Sequence, residues 1–203
     1  MLNQIFSTTC CFRGLPVPYF PYTEEQIKPI LDHAIQRAIR EGYRCFITGG
    51  QRDFETWAAE IVLEYRRTNP EIQLICCLAH PNFGHGWRKS VRERLQAVAA
   101  AADETVLIRQ KFDFTTYHSQ CRWMTERSSL AIVYYECAQS HGVSPFHSVS
   151  PFFIPAWGDT VTMWNVLNVL RKDAPPAQYD RLLDQGYIAP ELDEEEPADT
   201  ADK

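Results

Sequence analysis

The chain has 203 residues, 45% of them apolar and 12% aromatic, which suits one well-buried domain with appendages and leaves too little for two full ones. Its formal charge of −6 resides in positions 191 to 203, where seven acids accompany one Lys, so the body is neutral and lacks the basic stripe that binding to nucleic acid requires. No apolar run approaches the ~18 residues that span a bilayer, so no membrane partner is expected.

A first apolar run, Ile5 to Phe12, predicts a strand, and a Pro-rich loop follows it. Thr23 with Gln26 three residues on is a capping-box signature. Ile27, Ile30, Leu31, Ala34, Ile35, Ala38 and Ile39 then recur at helical spacing until Gly42. Pro29 predicts an irregular first turn or a regular start near Lys28, because an interior proline loses a hydrogen bond and clashes one turn back. Tyr43 to Thr48 reads as the second strand and Phe54 to Arg67 as its helix, with Trp57, Ala58, Ile61, Val62 and Tyr65 on the buried side. Ile72 to Leu78 is nearly continuous in apolar residues, as a central parallel strand should be, and Trp87, Val91, Leu95 and Val98 mark the next helix. Thr105 to Ile108, Leu130 to Tyr135 and Phe152 to Ile154 supply strands four to six, and residues 118 to 127 a short helix. Asp159 to Leu170 and Ala177 to Gln185 read as two C-terminal helices. This alternation predicts an α/β fold, a doubly wound, mostly parallel sheet flanked by helices, whose ligands sit beyond the carboxyl ends of the strands.

At that edge the run CFITGGQRDFETWAAE, Cys45 to Glu60, passes from strand through two glycines into helix. The first helical amides have no partner inside the helix and the macrodipole makes them positive, so a phosphate fits there, with Gly49 and Gly50 letting it approach the backbone. The same geometry also serves a plain strand-to-helix turn. Arg52 is either a bidentate partner for an anion or a surface arginine. Glu55 and Glu60 either meet ribose hydroxyls and act as a general base, or complement the helix dipole.

The segments EGYRCFITGG, TWAAEIVLEYRRTNPEIQLICCLAHP, RERL, AAADETVLI and RWMTERSSLAIVY follow one another in an order and spacing that resembles the YpsA-like branch of the SLOG superfamily, over most of residues 8 to 135. The resemblance implies a Rossmann-like sheet, kinship with the DNA-processing protein DprA and with cytokinin-activating phosphoribohydrolases, and a pocket for nucleotides or derivatives such as ADP-ribose or NAD. A SLOG-like domain is expected over residues 1 to 157, followed by a C-terminal helical extension over 158 to 190 and, from its charge, an acidic disordered tail over 191 to 203.

The departures fall where a ligand would lie. Relatives read FTGHRP after the first strand, and this chain has Phe12, Arg13, Gly14, Leu15 and Pro16, in which Arg13 partly replaces the lost charge. The family's GGARGFD becomes GGQRDFE, which keeps Gly49, Gly50 and Arg52 but sets Asp53 on a glycine and Glu55 on an aspartate. Asp53 is a competent N-cap, whose carboxylate would satisfy the amides and repel a phosphate. The family's RN pair corresponds to Gln120 and Cys121, its acid survives as Glu126, and its GGT-type turn is missing from LAIVYYECAQSHG. Loss of polar groups at separate loops fits a diverged, non-catalytic member, because catalytic groups act as a unit.

The expected ligand residues are therefore Arg13, Gly14, Thr48, Gly49, Gly50, Gln51, Arg52, Glu55 and His80, around an ADP-ribose- or NAD-like nucleotide. If the chain is an enzyme, the resemblance implies hydrolysis of a nucleotide N-glycosidic bond, with Glu55 polarising water or a ribose hydroxyl. The competing class is an interaction scaffold with an eroded pocket, serving a protein partner or a homodimer. Among other groups, His80, His85 and Cys77 lack a zinc spacing, so no metal is expected. His118 and Cys121 can share a helix face, yet no nucleophile elbow surrounds them. Seven cysteines, with the pairs Cys10/Cys11 and Cys76/Cys77 inside apolar runs, read as reduced core thiols and point to the cytoplasm.

Overall fold

The computed structural model describes residues 7–14, 23–134 and 162–165, the last as backbone. Six strands form one parallel sheet: β1 (Thr9–Arg13), β2 (Cys45–Thr48), β3 (Gln73–Leu78), β4 (Glu104–Leu107), β5 (Leu130–Val133) and β6 (Thr162–Asn165). Four helices connect them: α1 (Glu24–Arg40), α2 (Phe54–Thr68), α3 (Lys89–Ala101) and α4 (Thr116–Thr125). The strand order β4-β3-β2-β1-β5-β6 runs outward from β1 and then reverses to its other side. This reversal makes β1 and β5 the switch point of a Rossmann-like fold.

Right-handed crossovers place α1, α2 and α3 on one face of such a sheet and α4 on the other. The core divides accordingly. Phe12, Phe46, Leu74, Leu130 and Ile132 pack with Ile27, Leu31, Trp57, Val62 and Val98 from the three helices. Cys11, Ile47, Cys77, Ala131 and Val133 pack with Met124 of α4. Adjacent residues of β1 thus serve opposite cores, as the two-residue period of a strand demands. Phe12 stacks on Phe46 across β1 and β2, centroids 5.9 Å apart.

α1 keeps its start at Glu24 despite Pro29, so neither the irregular turn nor the later start expected there occurs. Gln26 Oε1 accepts the Thr23 amide at 2.9 Å, and the buried Ile27 and Leu31 bracket the proline, so the one missing amide bond does not break the helix. The three-helix layer is tied across its surface by charge. Arg94 of α3 pairs with Glu24 of α1 and Glu60 of α2, and Lys28 donates to Glu60 at 3.0 Å. Glu60 therefore belongs to a helix-to-helix ion network.

One expectation is overturned. Residues 162–165 form a strand pairing in parallel with β5, inside the stretch 159–170 expected as helix. The run VTMW is rich in β-branched and aromatic residues, and pairing with the buried β5 outweighs the helical reading of its flanks. Phe152 to Ile154, the helix expected over 177–185, the missing GGT-type turn and the acidic tail lie outside the described residues. No helix among the described residues is long and apolar enough to cross a membrane.

Candidate functional site

β2 hands over to α2 through the bend from Gly49 to Asp53. Thr48, wholly buried, fixes its start: the hydroxyl accepts the Gly50 amide at 3.1 Å and donates to the Glu55 carbonyl at 3.0 Å. Gly50 sits at φ +71°, and a Cβ there would stand 2.7 Å from Leu95 Cδ1, so both backbone and space require glycine. Asp53, aligned with a family glycine, adopts φ +66° and ψ −108°. For a residue with a side chain that conformation is strained by about 1–3 kcal/mol.

The bend already holds a carboxylate, its own. Glu55 is wholly buried and turns back over the glycines. Its Oε2 accepts the Gln51 amide at 3.1 Å, and its Oε1 accepts the Gly14 amide at 3.4 Å and Arg13 Nη1 at 3.2 Å. A Cβ on Gly49 would lie 2.6 Å from Oε2, so the carboxylate fits because that position is bare. Burial pushes the Glu55 carboxyl above its ordinary range, with Arg13 and the amides of Gln51, Gly14 and Gly49 acting in the other direction. Burial also opposes the charge on Arg13, but the field of Glu55 leads the effects that raise its pKa.

The carboxylate over the amides is thus Glu55 and not Asp53, which makes no side-chain capping bond to α2. An N-cap side chain reaches the helix amides from an extended backbone, and the positive φ of Asp53 departs from it. Arg13, expected to meet an external anion, is paired with Glu55. Gly14 serves packing as well, since a Cβ there would overlap the Phe54 ring.

Gln120 was legible only as a lost charge, and its structural part is larger. It is 1% exposed, and its Nε2 donates to the carbonyls of Gly49 at 2.9 Å and Cys77 at 2.6 Å. It locks the bend to the end of β3 from the far face of the sheet. The amide side chain is the right chemistry, because a positive group would have to lose its hydration beside Arg13. Arg13, Gly14, Thr48, Gly49, Gly50, Gln51 and Glu55 therefore gather around one buried carboxylate, while Arg52 is half-exposed beside it. His80 is not part of that cluster but leaves the same carboxyl edge on the neighbouring loop after β3, half-exposed, with the Phe83 ring centroid at 6.0 Å and the Phe112 ring centroid at 5.3 Å. Burial lowers its pKa, which keeps the imidazole neutral at pH 7.

His118 is exposed whereas Cys121 is 2% exposed, and burial raises the thiol's pKa, the opposite of nucleophile activation. Among the described residues no cluster of three or more His, Cys, Asp or Glu is placed to hold a metal ion.

Residues 22–148 match the family model described as the YspA SLOG family. The chain belongs to that family. Similar curated relatives are bacterial proteins named UPF0398 protein. One from Lactiplantibacillus plantarum is 30% identical over 95 residues, 45% of this chain and 50% of the relative. One from Halalkalibacterium halodurans is 32% identical over 77 residues, 38% and 41% of the two chains, and one from Lacticaseibacillus casei is 24% identical over 112 residues, 54% and 59%. The chain spans about half the length of the curated relatives it matches. Their shared name states no ligand or reaction, whereas SLOG membership suggests a nucleotide-related function.

Proposed function

We propose that this SLOG-family chain is a non-catalytic, cytoplasmic module that binds a nucleotide-derived ligand of the ADP-ribose or NAD kind outside the glycine bend rather than inside it. The observation that carries this reading is the Glu55 carboxylate on the amides of Gly14 and Gln51. A ligand phosphate entering the bend would have to displace a buried, ion-paired side chain, a loss of several kcal/mol. The half-exposed rim formed by Gln51, Arg52 and His80 remains, with Arg52 as the charge that meets a phosphate. Glu55 is a poor candidate for general base, since it is shut off from water and held by three donors. This favours binding without turnover.

A thermal-shift panel of ADP-ribose, NAD and AMP tests the reading. A ligand at ~100 times its Kd adds about 2.7 kcal/mol, which raises the midpoint of a domain this size by several degrees. Arg52→Ala is expected to diminish the shift. Gly50→Val makes a worse probe, since its φ of +71° and the nearby Leu95 tie that position to folding. Incubation with the best ligand should release no free base. A flat panel would remove the small-molecule reading in favour of the interaction scaffold.

A further inference from the structure

The same rim carries a closed circuit of four rings. His80 and Phe83 come from the loop after β3, Phe112 from the segment after β4, and Tyr117 from the first turn of α4. Centroid distances around the circuit are 6.0 Å for His80–Phe83, 6.1 Å for Phe83–Tyr117, 5.5 Å for Tyr117–Phe112 and 5.3 Å for Phe112–His80. Every contact is edge-to-face, with interplanar angles from 61° to 86°. None is a parallel stack, the arrangement that would use up the faces of both partners.

This circuit lies outside both hydrophobic cores, and Phe112 is 57% exposed. Two supports join it to the glycine bend. Tyr117 lies one helical turn before Gln120, whose amide holds the Gly49 carbonyl. Leu95 stands beneath both Gly50 and Gly84, where added Cβ atoms would reach it at 2.7 Å and 3.2 Å. Around the rings positive charge is in excess: Arg88, Lys89, Arg109 and Lys111 are all exposed on the flanking segments, against Asp113 and Glu93, the latter paired with Lys89 at 4.0 Å. That field disfavours a cation within the rings and favours a planar group attached to an anion. His80, neutral and half-exposed, offers one ring nitrogen as donor and the other as acceptor.

We infer that His80, Phe83, Phe112 and Tyr117 seat the heteroaromatic base of the ligand, with Phe112 stacking on it and His80 hydrogen-bonding its edge. The inference rests on the nucleotide reading above and adds which part of the ligand lies where.

Affinities of ADP-ribose and ribose 5-phosphate for the full chain and for Phe112→Ala test it by titration calorimetry. Phe112 is exposed enough for alanine to leave the fold intact. The full chain should bind ADP-ribose well above ribose 5-phosphate. Phe112→Ala should weaken ADP-ribose about tenfold or more, the usual effect of removing a stacking ring, while leaving the base-free sugar phosphate unchanged. His80→Phe, which keeps a ring but no hydrogen bond, should weaken ADP-ribose alone. If ADP-ribose binds and Phe112→Ala leaves it unchanged, or lowers both ligands equally, the base seat is wrong and the nucleotide reading stands. If the full chain binds neither ADP-ribose nor any member of the nucleotide panel, both fall.

Discussion

Arg13 and Glu55, from the end of β1 and the first turn of α2, meet at 3.2 Å with side-chain exposures of 8% and 0%. Removing both charges from water is expensive, and their attraction compensates only when the remaining lone pairs are also bonded. The amides of Gly14 and Gln51 meet that condition for the Glu55 oxygens. The pair thereby joins the end of β1 to the first turn of α2 and closes the bend from within.

Breaking this pair should be far worse than removing it. Arg13→Ala leaves a buried carboxylate without its counter-ion and should cost about 3–5 kcal/mol in urea unfolding. The double variant Arg13→Met with Glu55→Leu should cost clearly less than the two single changes added together. Strict additivity in that cycle would mean that the two groups do not act as a pair.

Asp53 holds a backbone conformation suited to glycine. Asp53→Gly should therefore stabilise the fold by about 1 kcal/mol, the relieved strain exceeding the extra chain entropy of glycine. A denaturation midpoint that falls instead would show the Asp53 side chain to matter more than its backbone.

Glu24 gives the helix layer a defined acid response. Hydrogen bonds from Arg94 come first among the effects that hold its carboxyl at about 2, against an ordinary value of 4.5. The folded state thus binds this proton less readily than the unfolded one, so the contribution is complete above pH ~4.5 and is lost as the pH falls toward 2. Both partners are partly exposed, which keeps the effect modest. Unfolding midpoints measured from pH 6 to pH 3 should fall less steeply in Glu24→Gln than in the parent. Parallel curves would refute the assignment.

The six described cysteines are all buried and unbridged, and burial pushes the thiols of Cys11 and Cys76 up to about 12. In a Cys137→Ser variant, which removes the seventh, a thiol reagent at pH 8 should react slowly with the native protein and with six groups after denaturation. Rapid native reaction of one equivalent would contradict that burial.

Much of the layout was legible from neighbours in the chain. The period of Ile27, Leu31, Ile35 and Ala38 identifies the buried face of α1, and all four are wholly buried. The apolar run at β3 reads correctly because a central parallel strand has no wet face. Thr162 to Asn165 misreads as helix because four residues carry little periodicity of their own, and it is the partner strand β5 that makes them a strand. The aromatic circuit escapes a linear reading for a similar reason. Its rings come from two stretches, His80 with Phe83 and Phe112 with Tyr117, which only the fold brings together.

A SLOG-family α/β chain with a paired-glycine bend at the carboxyl edge can be read from residue order alone, because hydrophobic period, helix caps and motif order are local properties. What occupies that bend is set by contacts between distant parts of the chain. Arg13, Glu55 and Gln120 meet there across separations of 42 and 71 residues, measured from Arg13 to Glu55 and from Gly49 to Gln120. A carboxylate that reads in the chain as a ligand contact or a partner of the helix dipole becomes a buried counter-ion in the fold, since burial and partner distance, rather than residue type, set what a charge can do.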